Sequence, residues 1–182
     1  MSEALLVIDY TIDFVADHGK LTCGKPGQQI EPAIHSLIEQ FSTKKQLVIY
    51  AVDLHEENDP YHPETKLFPP HNIKGTDGRQ LYGSLQQQFE QIKAHSPVLY
   101  LDKTRYSAFA GTNLDMQLRA RNITTVHLTG VCTDICVLHT AVDAYNLGYQ
   151  IVVHEQAVQS FSSEGHTFAL NHFKNSLGAT IL

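Results

Sequence analysis

The order of short apolar runs and amphipathic segments constrains the fold of this chain more than any other feature. Runs rich in Val, Ile, Leu and Tyr lie at 4–8, 47–52, 98–101, 125–128 and 150–153, and a last short one at 179–182. Such runs are typical of strands buried on both faces of a parallel sheet. Helical periodicity favours helices between them, at 28–44, 84–94, 112–121, 133–147 and 164–174. This alternation predicts a layered α/β fold with right-handed crossovers.

Length and charge narrow the classes of function. A chain of 182 residues without a linker-like segment predicts a single domain over 1–182. The net charge of −6 and the lack of a basic run argue against a nucleic-acid partner. No apolar run approaches the roughly 20 residues that cross a bilayer, so no membrane partner is expected. We expect a homo-oligomer.

The N-terminus and the cysteine count predict the compartment. The first residues carry no basic region and run directly into an apolar segment that resembles a strand rather than a signal peptide. Three cysteines are an odd number, which disfavours a disulfide framework and favours a reducing environment. The sequence therefore predicts a cytoplasmic protein.

The connection at 53–83 interrupts the regular pattern. It is punctuated by four prolines and three glycines, and it also holds three histidines, two tyrosines and a phenylalanine. Connections of this length without structure of their own are usually functional or disordered. Its aromatic and ligand-type residues are unlike those of a disordered linker, so we interpret 53–83 as a loop that builds a site.

Polar residues follow the predicted strands at the points where these end. Asp9 follows the first strand, Asp53 and His55 follow the second, and Lys103 follows the third. After the fourth comes a turn, 130–136, that contains two cysteines. Ligands of open α/β sheets bind outside the carboxyl ends of the strands, so these residues predict the active site.

Cys136 is the candidate nucleophile. It would lie in the first turn of a helix that begins near Thr133, where the helix dipole favours a thiolate, and a nearby Lys103 would lower its pKa further. The alternative is an inert buried thiol. Cys132 is a rival, although its place in the turn suits donation of a backbone N–H, and the Cys-x-x-x-Cys spacing also allows a redox or metal pair. Cys23 has no companion in the sequence and is interpreted as structural.

Asp9 ends an apolar strand, so its carboxylate needs a partner inside the protein. Lys103 is the candidate partner. The pair is either a structural ion pair or a general base held beside the thiol. Asp13 and Asp17 are interpreted as solvated turn residues.

Within the nineteen positions 53–71 we identify five candidate ligands, namely Asp53, His55, His62, Glu64 and His71. Asp53 and His55 point to the same side of an extended segment because side chains alternate along a strand. Two imidazoles with carboxylates suit Zn²⁺, Fe²⁺ or Mn²⁺. The sequence predicts a metal site in which His62 and Glu64 compete for the third position.

Five segments in order carry a resemblance to a known family. They are LVIDY at 6–10 with Asp13-Phe14, DLH at 53–55, KLFPPH at 66–71, DKTRYSAF at 102–109 and TGVCTDICV at 129–137. They resemble the cysteine hydrolases of the isochorismatase-like superfamily, and within it the nicotinamidase branch. The likeness spans essentially the whole chain and implies a three-layer α/β/α fold with a mostly parallel central sheet.

The resemblance implies a role for each matching position. The catalytic triad of the family falls on Asp9, Lys103 and Cys136. Its metal ligands fall on Asp53, His55, Glu64 and His71, and its aromatic walls on Phe14, Phe68 and Tyr106. The family's cis peptide bond falls at Val131–Cys132, and its oxyanion hole on the backbone N–H groups of Cys132 and Cys136. Cys132 departs from the smaller or apolar residue usual at its position.

The activity implied by the resemblance is hydrolysis of nicotinamide to nicotinate and ammonia, a step of NAD salvage. One divalent metal ion per chain, zinc ahead of iron or manganese, is implied as the cofactor. Relatives that hydrolyse isochorismate or N-carbamoylsarcosine lack the metal loop, so the loop argues for nicotinamide. Two alternatives stay open: a metal-free amidohydrolase of the same superfamily, and a non-catalytic binding or redox module that uses Cys132 and Cys136 as a pair.

Overall fold

The computed structural model describes residues 2–182. Its strands are β1 (Ser2–Ile8), β2 (Leu47–Asp53), β3 (Val98–Lys103), β4 (Ile123–Val131), β5 (Gln150–Gln159) and β6 (Thr180–Ile181). Its α-helices are α1 (Ile12–Val15), α2 (Gly24–Gln29), α3 (Glu31–Thr43), α4 (Leu85–Ile92), α5 (Leu114–Arg119), α6 (Leu138–Asn146) and α7 (Ser163–Asn175). Two 3₁₀ turns (Pro63–Lys66 and Asp77–Arg79) and one π-helical turn (Thr133–Val137) complete the regular structure.

The six strands form one parallel sheet in the order β3-β2-β1-β4-β5-β6. The strand order reverses at β1, because the chain first builds outward through β2 and β3 and then returns to β4 on the other side. The carboxyl ends of β1, β2, β3 and β4 therefore lie next to one another. In open α/β sheets this switch point is where ligands bind.

Two apolar clusters cover the two faces of the sheet. Leu5 and Val7 of β1 pack into the cluster that includes α3 and α4, whereas Leu6 and Ile8 pack into the cluster on the side of α5, α6 and α7. Both faces of β1 and β2 are buried, which explains why these strands have continuous apolar runs without polar alternation. The predicted three-layer α/β/α architecture is confirmed.

The six predicted strands are confirmed, and the helix boundaries differ in two places. The segment predicted as one helix over 28–44 divides into the end of α2 and a separate α3, which begins at Glu31 with Pro32 in its first turn. The predicted helix over 133–147 begins with the π-helical turn and becomes α-helical at Leu138. No helix among residues 2–182 is long and apolar enough to cross a membrane.

The end of α6 follows its sequence signal. Gly148 has a φ of +81° and stands directly after the last helical turn. Its N–H bonds the carbonyl of Tyr145, and the next N–H, from Tyr149, bonds the carbonyl of Ala144. This is the Schellman arrangement, in which a glycine takes up the left-handed conformation that other residues avoid.

Two histidines on β4 and β5 make folding sensitive to acid. His127 Nδ1 and His154 Nε2 are 2.9 Å apart across the two strands. Burial, together with the neighbouring His127, lowers the pKa of His154 to about 4, and burial also lowers the pKa of His127. As the pH falls below the ordinary histidine pKa of about 6.5, both histidines become protonated in the unfolded chain but stay neutral in the folded protein. The pair's contribution to the free energy of unfolding is therefore fully present above about pH 6.5 and is lost progressively towards about pH 4.

We therefore expect His154→Gln to lose less thermal stability than the wild type between pH 7 and pH 5. Thermal unfolding at both pH values measures this difference. The exposed His18, replaced in a matched His18→Gln variant, should leave the wild-type dependence unchanged. An identical loss of melting temperature in His154→Gln and in the wild type would contradict the assignment.

Candidate active site

Three strand ends bring an ammonium and two carboxylates together. Lys103 at the end of β3 lies in register with Asp53 at the end of β2, and Asp9 follows β1. Lys103 Nζ is 2.7 Å from Asp9 Oδ2 and 2.5 Å from Asp53 Oδ1. All three side chains are fully buried. The predicted Asp9–Lys103 pair is thus present, and Asp53 extends it to a second carboxylate.

The backbone holds Asp9 in an uncommon conformation. Its φ is +53°, and its Oδ1 accepts a hydrogen bond from the N–H of Asp53 at 2.8 Å. A non-glycine residue in the left-handed region costs roughly 1–3 kcal/mol and persists only where its surroundings enforce it. The anchored carboxylate therefore has a fixed direction, with its second oxygen on Lys103.

Cys136 reaches this group from the π-helical turn that follows β4. Atoms of Cys136, Asp9 and Asp53 lie within 4.8 Å of one another. The turn sits close to β1 because Gly130, with a φ of +108°, has no side chain; a Cβ there would lie 1.9 Å from the carbonyl oxygen of Ile8. The implied cis bond between Val131 and Cys132 is present. The three residues of the predicted triad therefore form one buried cluster.

Burial and the neighbouring carboxylates favour a neutral Cys136 thiol. Burial raises the pKa of Cys136 well above the usual value, and the lowering by Lys103 does not outweigh burial and the two carboxylates. The predicted lowering of the Cys136 pKa is therefore wrong in its net direction. Burial, followed by Asp53, raises the pKa of Asp9 to about 7 despite Lys103. Burial opposes the charge on Lys103, but Asp53 and Asp9 raise its pKa well above the ordinary value.

Cys132 has a different environment. Its Sγ is 3.4 Å from Sγ of Cys23, and both side chains are buried. The contact with Cys23, followed by burial, raises the pKa of Cys132 well above its ordinary value. The thiol of Cys136, in contrast, lies beside Lys103, which acts to lower its pKa. The structure thus gives Cys23 a thiol companion that the sequence did not reveal.

A second buried cluster adjoins the first and shares Asp53 with it. Donor atoms of four buried residues lie within 4.8 Å of one another, and the residues are Asp53, His55, Glu64 and His71. Each has a buried atom without a hydrogen-bond partner: Asp53 Oδ2, His55 Nε2, Glu64 Oε1 and His71 Nε2. Unpaired buried polar atoms are costly, and a cation among them would satisfy all four. The four residues are therefore a candidate metal site.

Hydrogen bonds and charges orient the donors of this cluster. His71 Nδ1 lies 2.8 Å from the carbonyl oxygen of Pro69, which leaves Nε2 directed at Glu64, 3.5 Å away. Burial opposes the charge on Glu64, but His71 and His55 together lower its pKa, so the carboxylate stays ionised. Burial lowers the pKa of His55, which favours the neutral imidazole that binds metals. The neutral imidazole of His55 beside the ionised carboxylate of Glu64 suits a divalent ion.

His62 is not part of this donor group. Its Nε2 lies 2.8 Å from the carbonyl oxygen of Thr104, and its Nδ1 accepts a hydrogen bond from the N–H of Glu64 at 3.3 Å. Both ring nitrogens are therefore occupied, and the ring packs against His55 at 4.3 Å between centroids. Between the two competitors for the third position, the geometry favours Glu64.

A small cavity lies between Cys136 and Glu64, the one member of the metal-type cluster that lines it. The three predicted aromatic residues, Phe14, Phe68 and Tyr106, line it together with Glu64 and Cys136. Leu21, Cys132, Ile135 and Phe161 complete the wall. Apart from the thiols and the Glu64 carboxylate, these walls are aromatic and aliphatic, so the cavity favours a flat, largely apolar ring.

Sequence reasoning missed some of the residues around the site. Phe161 follows the carboxyl end of β5, so the strand-end rule was a usable signal for it. Arg79 had no such signal: its Nε donates to the carbonyl of Asp53 at 2.6 Å and its Nη2 pairs with Asp102. The guanidinium thus connects the ends of β2 and β3, which carry Asp53 and Lys103.

A fold and site of this kind define a family. The isochorismatase domain matches residues 3–182, and the chain belongs to the isochorismatase family.

Solved structures give particular relatives. The nicotinamidase/pyrazinamidase PncA from Bacillus subtilis is 58% identical with a TM-score of 0.97, over 100% of this chain and 99% of that chain. The pyrazinamidase/nicotinamidase from Streptococcus mutans is 57% identical with a TM-score of 0.96, over 100% of both chains. The pyrazinamidase of Pyrococcus horikoshii in complex with zinc is 28% identical with a TM-score of 0.86, over 100% of this chain and 99% of that one.

Proposed function

We propose that the protein hydrolyses nicotinamide to nicotinate and ammonia through a thioester on Cys136. The observation that carries this proposal is the cavity in which Cys136 and Glu64 of the metal-type cluster face the same small aromatic-walled space. Nicotinamide has a group for each side of this cavity: its carboxamide can react with the thiol of Cys136, and its ring nitrogen can bind a metal ion. Nicotinamidase is also the activity named for the Bacillus subtilis and Streptococcus mutans relatives.

Asp9 acts as the general base in the first step. With a pKa near 7 it is poised to accept the Cys136 proton at neutral pH as the sulfur attacks the carboxamide carbon. Lys103, 2.7 Å from Asp9, stabilises the negative charge shared between Asp9 and the sulfur. The high pKa of the resting thiol means that the proton leaves only as the bond forms.

The backbone N–H groups of Cys132 and Cys136 hold the oxygen that becomes negative in the tetrahedral intermediate. Such donors are typically worth on the order of 100- to 1000-fold in rate. Asp9 then passes its proton to the nitrogen, the C–N bond breaks and ammonia leaves. The acyl group remains on Cys136 as a thioester.

Hydrolysis of the thioester reuses the same groups. Asp9, now deprotonated, removes a proton from a water molecule that attacks the thioester carbon. The C–S bond breaks, the sulfur takes the proton back from Asp9, and nicotinate is released. Phe14, Phe68 and Tyr106 form the walls that keep the ring in place through both steps.

Asp53, His55, Glu64 and His71 would hold one divalent ion per chain, and we propose zinc ahead of iron or manganese. Two imidazoles and two carboxylates are a borderline donor set, and the four unpaired atoms converge. When bound, the ion supplies an electron-pair acceptor for the pyridine nitrogen, which fixes the ring in the cavity. The loop 53–83 is thereby the metal-binding segment of a single hydrolase domain.

We propose a cytoplasmic protein that works in NAD salvage as a homo-oligomer, with nicotinamide as its small-molecule partner and no nucleic-acid or membrane partner. The formal net charge of −6 is consistent with the absence of a nucleic-acid partner.

Benzamide tests the proposed binding mode because it has the carboxamide but no ring nitrogen. We expect kcat/KM for benzamide to be about 100-fold or more below that for nicotinamide, since a site built for a polar group rejects analogues without it. Removing the metal with EDTA should raise KM for nicotinamide strongly and leave benzamide nearly unaffected. Ammonia release, with metal content measured on the same sample, gives the kinetic constants for both amides with the metal-loaded and with the metal-free protein.

Two results would contradict this binding mode. One is equal kcat/KM for the two amides in the metal-loaded protein. The other is full activity on nicotinamide in protein that contains no stoichiometric metal. Returning Zn²⁺ to the stripped protein is the matched control, and it should restore the preference for nicotinamide.

A further inference from the structure

We propose that Asp13 is a positioning residue for the metal site, and that it acts through Asn72. The proposal rests on the metal site of the proposed function and extends it to residues that contact neither the ion nor the substrate. Asp13 lies on α1, just after Asp9, and Asn72 directly follows the ligand-type residue His71. The two are 59 residues apart in sequence and in direct contact.

Asn72 touches two of the four metal-type residues. It is covalently joined to His71, and its carbonyl oxygen accepts the N–H of His55 at 3.1 Å. It is fully buried, with a φ of +45° that a non-glycine residue rarely adopts. Any rotation of Asn72 therefore moves both imidazoles. Whatever holds Asn72 in place also fixes the distance between His55 and His71.

Two side chains from the segment after β1 hold Asn72. Asp13 Oδ2 accepts the N–H of Asn72 at 2.8 Å, and Thr11 Oγ1 donates to Asn72 Oδ1 at 2.9 Å. The ring of Phe14 packs against that of His71, with centroids 5.2 Å apart. The metal-type cluster is thus fixed from the strand end that also carries Asp9.

The carboxylate of Asp13 is unusual for a structural side chain. It is only 6% exposed, and no Lys, Arg or His within residues 2–182 forms an ion pair with it. Its acceptors are used by backbone N–H groups, from Asn72 on one oxygen and from Lys20 on the other. A Cβ on Gly78 would lie 2.2 Å from Oδ2, so a glycine is required beside the carboxylate. An unpaired buried carboxylate is costly, and the two backbone N–H groups offset part of that cost, so the contact with Asn72 is held firmly.

The substitution Asp13→Asn isolates this role. Asparagine keeps the size of the side chain but replaces one acceptor oxygen by an NH2 group. Because the N–H groups of Asn72 and Lys20 bind different oxygens of Asp13, the NH2 group must then face one of these two donors. Loss of a partner that orients metal ligands typically weakens metal affinity about 10- to 100-fold. We expect a loss of Zn²⁺ affinity of this size, with kcat for nicotinamide restored by excess Zn²⁺.

The experiment uses the full chain stripped with EDTA, and measures Zn²⁺ affinity by competition with a chromophoric chelator. The absorption spectrum of the Co²⁺-loaded protein reports the ligand geometry independently of activity. Asp17→Asn, an exposed aspartate four residues away, is the matched control and should bind Zn²⁺ as the wild type does. Thr11→Val keeps Asp13 and removes the other bond to Asn72, so it should weaken Zn²⁺ binding by a smaller factor.

These measurements distinguish a role of Asp13 in positioning the metal ligands from a role only in the stability of the fold. Wild-type Zn²⁺ affinity in Asp13→Asn, with only a lower melting temperature of the metal-free protein, would overturn the proposal. If Asp13→Asn does not fold, unchanged Zn²⁺ affinity and an unchanged Co²⁺ spectrum in Thr11→Val would overturn it equally. The proposed function is tested separately, because wild-type protein that binds Zn²⁺ but fails to hydrolyse nicotinamide contradicts that function and not the role of Asp13.

Discussion

Replacing Cys136 by alanine should abolish nicotinamide hydrolysis, with a loss of about 10⁴-fold or more in kcat/KM. Removal of a nucleophile from a catalytic group that acts as a unit has effects of at least this order. The expectation rests on the position of Cys136 beside Asp9 and Lys103, whereas Cys132 is paired with Cys23 at 3.4 Å. Cys132→Ala should therefore retain most of the activity.

Ammonia release by the two variants, measured at equal metal content, checks this expectation. Both should keep the wild-type Zn²⁺ content, because neither cysteine belongs to the cluster of Asp53, His55, Glu64 and His71. Activity retained in Cys136→Ala and lost in Cys132→Ala would show that the nucleophile has been assigned to the wrong sulfur.

Asp9→Asn should lower kcat/KM by about 100-fold or more, the usual size of a general acid–base contribution. The amide keeps the shape of the side chain, and its oxygen still accepts the N–H of Asp53 that now binds Oδ1. It cannot take the thiol proton, so both attack by sulfur and protonation of the leaving nitrogen suffer. Lys103 keeps its second partner, Asp53, at 2.5 Å.

Kinetics and metal analysis of Asp9→Asn, side by side, distinguish a chemical role from a structural one. We expect the metal content to match that of the wild type, since Asp9 is not among the four clustered donors of the metal-type site. Near-wild-type turnover of nicotinamide in Asp9→Asn would reduce Asp9 to a structural partner of Lys103.

The strand ends were predictable because each strand is identified by a continuous apolar run within its own segment of the sequence. Continuous apolar runs identify parallel strands, and parallel strands deliver Asp9, Asp53 and Lys103 to one edge whatever the details of packing. The helix break at Ile30 and the π-helical start of the helix after β4 were not predictable from periodicity. Both preserve an apolar face while they change the direction of the backbone.

The remaining site residues depend on contacts between distant segments. Glu64 and His62 are two residues apart, and only the 3₁₀ turn at Pro63–Lys66 sends one towards His71 and the other towards the carbonyl of Thr104. Asp13 was interpreted as a solvated turn residue, and this is wrong, because its carboxylate is buried against Asn72. The sequence around Asp13 gives no sign of this contact, because Asn72 lies 59 residues further along the chain.

The net pKa of Cys136 could not be predicted for a similar reason. A lysine near a thiol suggests a thiolate, but burial of the whole group opposes any charge on sulfur, and two carboxylates oppose it further. The pKa of Cys136 depends on how strongly Lys103 interacts with Asp9 and Asp53 rather than with the sulfur. These interactions exist only in the folded protein.

The most direct test of the account is ammonia and nicotinate release from nicotinamide by protein of known metal content, with N-carbamoylsarcosine as the competing substrate class. The account predicts equal molar amounts of ammonia and nicotinate from nicotinamide and little or no release from N-carbamoylsarcosine. Hydrolysis of N-carbamoylsarcosine without hydrolysis of nicotinamide, in protein with a full complement of metal, would contradict it.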